Sequence, residues 1–176
     1  INAWTSWGKT FTALAIAGKL GQKTLVIVHT TALLEQWVDE VEKVFGFTPS
    51  IMGAGKMQWD MPITIGMQQT LIRRPKSFYM TNFGLTIVDE CHHCPAKSFA
   101  NILDTINCKY KLGFSASSRR KDGLHVMFPD FFSPKTIKPP RENYMEPEID
   151  RIQTQFLLRD GGDPWATRVN EVCYDP

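Results

Sequence analysis

Apolar positions along the chain follow two rhythms in turn, one helical and one extended. Lys9–Leu20 holds an apolar run that Gly21 stops, and it predicts a helix. Thr24–Val28, Thr-Leu-Val-Ile-Val, is unbroken and β-branched, as in strands buried on both faces. Thr30 and Thr31 suit a helix N-cap. From Ala32 to about Phe45, Leu33, Leu34, Trp37, Val41 and Val44 keep helical spacing. Ile63–Ile65 predicts a short strand, and Met67–Leu71 the beginning of a turn or helix. Leu85–Val88 predicts a buried strand running into Asp89-Glu90. Ala96–Ile106 reads as a helix and Tyr110–Phe114 as a strand. Strands alternating with helices imply a parallel α/β sheet with right-handed crossovers. Ligands of such sheets sit at the carboxyl ends of the strands.

After residue 127 the pattern changes. Phe128 to Pro134 is aromatic and broken by proline, and Pro139, Pro140 and Pro147 follow. Ile149–Leu158 alternates in part, as a strand does, and Asp160-Gly161-Gly162-Asp163-Pro164 is a loop signal. Trp165–Tyr174 has the character of a helix start.

Composition narrows the picture a little. The 176 residues are 43% hydrophobic with net charge +2, enough for one core and with no strong basic bias. No apolar run reaches the length of a membrane span, and no signal segment opens the chain, so a cytoplasmic setting without a membrane partner is expected. Four cysteines are present. Cys91-His92-His93-Cys94 suggests zinc, but structural sites use two separated ligand pairs, and Cys108 and Cys173 stand apart. No structural zinc is expected.

The chemistry begins at Ala3-Trp4-Thr5-Ser6-Trp7-Gly8-Lys9-Thr10, an eight-residue loop ending in Gly-Lys-Thr at a helix start. Such a loop suits a polyphosphate. Backbone N–H groups of Thr5, Ser6, Trp7 and Gly8 converge on the anion, and the helix N-terminus adds partial positive charge. Lys9 reaches the β- and γ-phosphates, Thr10 offers its hydroxyl to Mg²⁺, and a side chain at Gly8 would block the phosphate. Almost nothing precedes this loop, so at most a stub of the usual preceding strand is expected, as if the sequence began inside a larger protein. Asp89-Glu90 supplies the second half. Two carboxylates at the end of a core strand are suited to holding a metal or moving a proton. Asp89 would hold Mg²⁺, and Glu90 would deprotonate the attacking water. Either stretch alone has a plain reading, a chance Gly-Lys-Thr or a pair of turn-capping acids. Together they favour nucleotide hydrolysis.

Asp89-Glu90-Cys91-His92 resembles motif II of the superfamily 2 helicases, the DEAD/DEAH-box group, and Ala3 to Thr10 resembles their motif I. His29 to Trp37 is similar to motif Ia, with Thr30, Leu33 and Gln36 in register. Ile65 to Leu71 is similar to the next nucleic-acid-contacting segment. Ser115-Ala116-Ser117 resembles motif III, with Ser118 in place of a common proline. Arg119 to Leu124 continues a likeness to repair and phage branch-migration helicases. The resemblance implies a RecA-like P-loop fold, bound ATP and Mg²⁺, and an ATP-driven DNA helicase or translocase, with DNA favoured over RNA. It implies strand contacts at Thr30, Gln69 and Thr70, and coupling of nucleotide to movement through His92, Ser115 and Ser117. Arg119 and Arg120 are either further strand contacts or solvated surface. It also implies a motor lobe over 1–127 and, over 128–176, a closing segment and linker toward a second lobe, which in that family carries the arginine finger. The alternatives are a translocating restriction subunit, an RNA helicase, and a nucleotide-binding scaffold that never hydrolyses.

Overall fold

A computed structural model of the chain describes residues 1–4, 7–73, 83–91, 96–106, 108–116, 131–132 and 135–140, all within the compact unit Ile1–Pro140. The elements expected around 149–158 and 165–174 lie outside the described residues.

Each expected element in the described range is present. Helix α1 is Lys9–Leu20, and it closes on a left-handed Gly21 whose N–H donates to Ala17. It turns Ala13, Leu14 and Ala17 inward. Strand β1, Thr24–Val28, is buried at every position. Helix α2, Thr31–Phe45, starts on Thr30, whose hydroxyl accepts from the Leu33 N–H, and stops at a left-handed Gly46. Its inward residues are Leu34, Trp37 and Val41. Val44 shares their spacing but is exposed, because Phe45 takes the next inward place and stacks on Phe47 with ring centroids 5.9 Å apart. Two strands, β2 (Ser50–Gly53) and β3 (Lys56–Met57), form a hairpin that the periodicity did not announce. Then come β4 (Ile63–Met67), the single-turn α3 (Gln68–Leu71), β5 (Leu85–Val88), α4 (Ala96–Thr105) and β6 (Tyr110–Gly113).

The strands form one six-stranded sheet in the order β3-β2-β4-β1-β5-β6, parallel throughout except for β3. Burial on both faces explains the unbroken apolar strands. Val26 and Val28 face one core with Leu14, Leu34, Trp37 and Val41 from α1 and α2. Leu25 and Ile27 face the other, with Leu71, Ile102, Leu103 and Ile106. Each fully buried aliphatic side chain contributes roughly 1.5–3 kcal/mol.

Register shows which segments share one end of the sheet. Val28 is level with Met67 across one ladder, Ile27 with Val88 across the next, and Val88 with Gly113 beyond it. The segments His29-Thr30, Gln68-Gln69, Asp89-Glu90 and Phe114-Ser115 therefore leave the sheet at the same end. Residues 1–3 run beside the last of these. Asn2 forms a parallel bridge with Ser115, the Ala3 N–H donates to Ser115 O at 3.0 Å, and the Ser115 N–H donates to Ile1 O at 3.1 Å. On the other side of this stub the Asn2 N–H donates to Ile137 O at 2.9 Å. Among the described residues no helix is long and apolar enough to cross a membrane.

Candidate functional site

The site starts from how the loop ahead of α1 is held. Ala3 is buried and bracketed by the Ser115 backbone. The chain then turns, with the Trp7 N–H donating to Trp4 O at 3.4 Å. Thr5 and Ser6 lie outside the described residues. Gly8 is the N-cap of α1 with φ at +91°, a left-handed conformation that glycine adopts without steric cost. A Cβ there would meet no atom of the described residues within 4 Å, so the demand for glycine comes from the backbone conformation. Among the described residues no side chain caps this end of α1, and its first turn has no acidic residue. The first N–H groups of a helix have no acceptor within it, which makes such an end suited to an anion.

The acid pair is fixed by the sheet itself. The Asp89 N–H donates to Ile27 O at 3.1 Å, the Phe114 N–H to Val88 O at 2.9 Å and the Cys91 N–H to Phe114 O at 3.1 Å. Asp89 is only 6% exposed. Its Oδ2 accepts from the Trp37 indole Nε1 at 2.8 Å, and its Oδ1 accepts from the Glu90 N–H at 2.9 Å. Burial raises the Asp89 carboxyl above its ordinary value, and the Trp37 hydrogen bond opposes that rise. Glu90 takes a left-handed φ of +45°, rare for a residue with a side chain and frequent where function over-determines the backbone.

The two halves meet through one ion pair. Lys9 Nζ lies 3.0 Å from Glu90 Oε1 and donates a longer bond, 3.5 Å, to Ala3 O. Thr10 follows Lys9 in the same helical turn and is partly buried. Cys91 packs into the core beside Leu25 and Ile27, and burial pushes its thiol up to about 12. Among the described residues no group of three or more His, Cys, Asp or Glu side chains could hold a metal ion.

The other expected residues take separate places at the same edge. Thr30 is exposed and caps α2 through the Leu33 N–H at 3.3 Å. Gln69 Nε2 donates to His29 O at 3.2 Å, tying α3 to the segment after β1, and Thr70 lies in the same turn. Ser115 is buried between the phosphate loop and the β6 end. His92, Ser117, Arg119 and Arg120 lie outside the described residues.

Sequence reasoning missed two side chains. Trp37 was read only as an apolar face residue of α2, although a buried indole N–H needs an acceptor. Gln68 is 3% exposed, and among the described residues its Nε2 has no partner. It lies in the Ile65 to Leu71 stretch that resembles a nucleic-acid-contacting segment, but only Gln69 and Thr70 were singled out there.

The family model described as "Type III restriction enzyme, res subunit" matches residues 1–120. The chain belongs to this ResIII family. Within it, the chain is a first motor domain of the superfamily 2 helicases, and the match spans both the phosphate loop and the acid pair. The chain is 45% identical to "Probable helicase D10" of Escherichia phage T5 over 177 residues, covering 100% of this chain and 39% of that protein. It is 32% identical over 193 residues to "ATP-dependent DNA helicase uvsW" of Enterobacteria phage T4, covering 99% of this chain and 37% of that one. The crystal structure of the UvsW helicase from bacteriophage T4 superposes with a TM-score of 0.67 at 31% identity, over 78% of this chain and 53% of that chain. The chain therefore spans about two fifths of the length of these curated relatives. The RecA-like sheet expected from the motifs is the observed fold.

Proposed function

We propose that this domain is the ATP-binding lobe of a DNA helicase or translocase that couples ATP hydrolysis to movement on, or remodelling of, DNA. The observation that carries the reading is the Lys9–Glu90 pair, 3.0 Å apart at the uncapped head of α1. A phosphate-binding cation and a candidate general base meet at one point, beside a buried carboxylate. The loop 3–8 and the first turn of α1 receive the phosphates through backbone N–H groups. Lys9 exchanges Glu90 for the β- and γ-phosphates, which releases the carboxylate to take a proton from water. Thr10 and Asp89 offer hard oxygen donors of the kind Mg²⁺ prefers. When bound, Mg²⁺ would neutralise charge on the β- and γ-oxygens.

Thr30, Gln69 and Thr70 provide hydroxyl and amide groups at the same edge of the sheet, suited to strand phosphates and silent on sequence. Arg119 and Arg120 extend that surface in this reading. Ser115, with Ser117 and His92, couples it to the nucleotide. DNA is favoured over RNA because the T4 relative is named a DNA helicase. Its phage relatives support action in the cytoplasm of an infected bacterium. The family description favours one second reading, the translocating subunit of a restriction enzyme. A nuclease domain elsewhere in the full protein would identify that case.

The test pairs two variants of the full protein. Lys9→Ala should lose most of its ATP affinity by calorimetry. Glu90→Gln should keep ATP affinity and lose roughly 10²–10⁴ in DNA-stimulated turnover, because glutamine preserves shape without accepting a proton. Normal turnover by Glu90→Gln would remove the general base.

A further inference from the structure

We propose that Trp37 is a positioning residue of the metal site, its indole N–H fixing the Asp89 carboxylate and joining it rigidly to α2. The inference rests on the reading of Asp89 as a Mg²⁺ ligand. The Trp37 side chain is 1% exposed and belongs to the core shared by α1, α2 and the sheet. Its polar atom nevertheless donates to Asp89 Oδ2 at 2.8 Å. The other oxygen, Oδ1, accepts from the backbone of Glu90 at 2.9 Å. One hydrogen bond on each oxygen, one from α2 and one from the adjoining backbone, sets the rotation of the carboxylate plane. A carboxylate has about four lone-pair sites, so these two bonds leave acceptor capacity for a cation.

Trp37 is also placed to join two sites. It stands about 10 Å along the helix axis from Thr30. Thr30 caps α2 at the edge assigned to the nucleic acid, and the helix is closed at its far end by Gly46. A capped helix moves as a unit, so a displacement at Thr30 reaches the carboxylate through one hydrogen bond. Phenylalanine at 37 would keep most of the ring packing and delete that bond. Partners that orient metal ligands typically contribute about 10–100-fold in metal affinity.

The experiment compares nucleotide affinity with Mg²⁺ and with EDTA in the full protein. In the wild type, Mg²⁺ should strengthen ATP binding, and Asp89→Asn should abolish that enhancement. Trp37→Phe should lose about tenfold or more of the enhancement while keeping its affinity in EDTA. Binding of Mn²⁺ to the nucleotide complex, followed by electron paramagnetic resonance, should weaken in parallel. Equal losses with Mg²⁺ and with EDTA would make Trp37 a packing residue only and overturn the proposal. A full Mg²⁺ enhancement in Trp37→Phe would overturn it too, leaving the metal-site reading intact. An enhancement that survives Asp89→Asn would overturn that reading and this inference together. The wild type gives a check that needs no variant. The Trp37 indole ¹⁵N–¹H resonance should shift when Mg²⁺ joins the nucleotide complex, and an unmoved resonance would overturn the link.

Discussion

Burying a carboxylate raises the free energy of its charged form, and Asp89 is held in that condition by the sheet. The folded protein keeps its proton more firmly than the unfolded chain does. Stability from this group is therefore highest at low pH, falls as pH rises from the ordinary 3.8 through the raised folded value, and stays lower above it. In EDTA, Asp89→Asn should gain on the wild type at pH 7 relative to pH 4 in urea unfolding. A variant that gains more at pH 4 would contradict the sign. Glu90 adds a second local cost, since a left-handed backbone on such a residue takes roughly 1–3 kcal/mol. Both costs fall on the acid pair that the sequence had marked. The side chain the sequence left unmarked is Trp37, whose acceptor lies 52 positions away and becomes visible only once α2 packs on the sheet over β4 and β1. Hydropathy counts a tryptophan as apolar and does not register its one N–H.

At the scale of elements, helix limits were legible because they rest on local chemistry. Gly21 and Gly46 end their helices in left-handed turns, and Thr30 begins α2 with a side-chain cap. Replacing Thr30 by alanine should lower stability by about 0.5–2 kcal/mol, and replacement by serine should restore it. Chemical unfolding of the two variants decides this, and an alanine variant as stable as the wild type would remove the cap. Strands β1 and β5 were legible for a different reason, since only a sheet covered on both faces calls for unbroken apolar runs. The β2–β3 hairpin was not. Ser50-Ile51-Met52-Gly53 is short and mixed, and its pairing with β4 depends on a strand that comes later in the chain.

For the molecule as a whole, the loop before α1 and the acid pair supply, on the proposed reading, only part of what phosphoryl transfer needs. In the resembled helicases an arginine from a second lobe completes the charge around the γ-phosphate, and such a group contributes about 10³–10⁵ in rate. A purified polypeptide of residues 1–176 should therefore bind ATP weakly and hydrolyse it very slowly, with little response to DNA. Phosphate release, measured with and without single-stranded and duplex DNA, checks this. Robust DNA-stimulated turnover would put the finger inside these residues. The bracketing of Ala3 by Ser115 also orders events in time. During synthesis the loop leaves the ribosome long before the residue that braces it. Until β6 has emerged and joined the sheet, the nascent chain carries a finished phosphate-loop sequence with nothing to lean on. On the proposed reading, nucleotide affinity should therefore arise only after β6 has joined the sheet, so that a lobe lacking β6 should not compete for ATP.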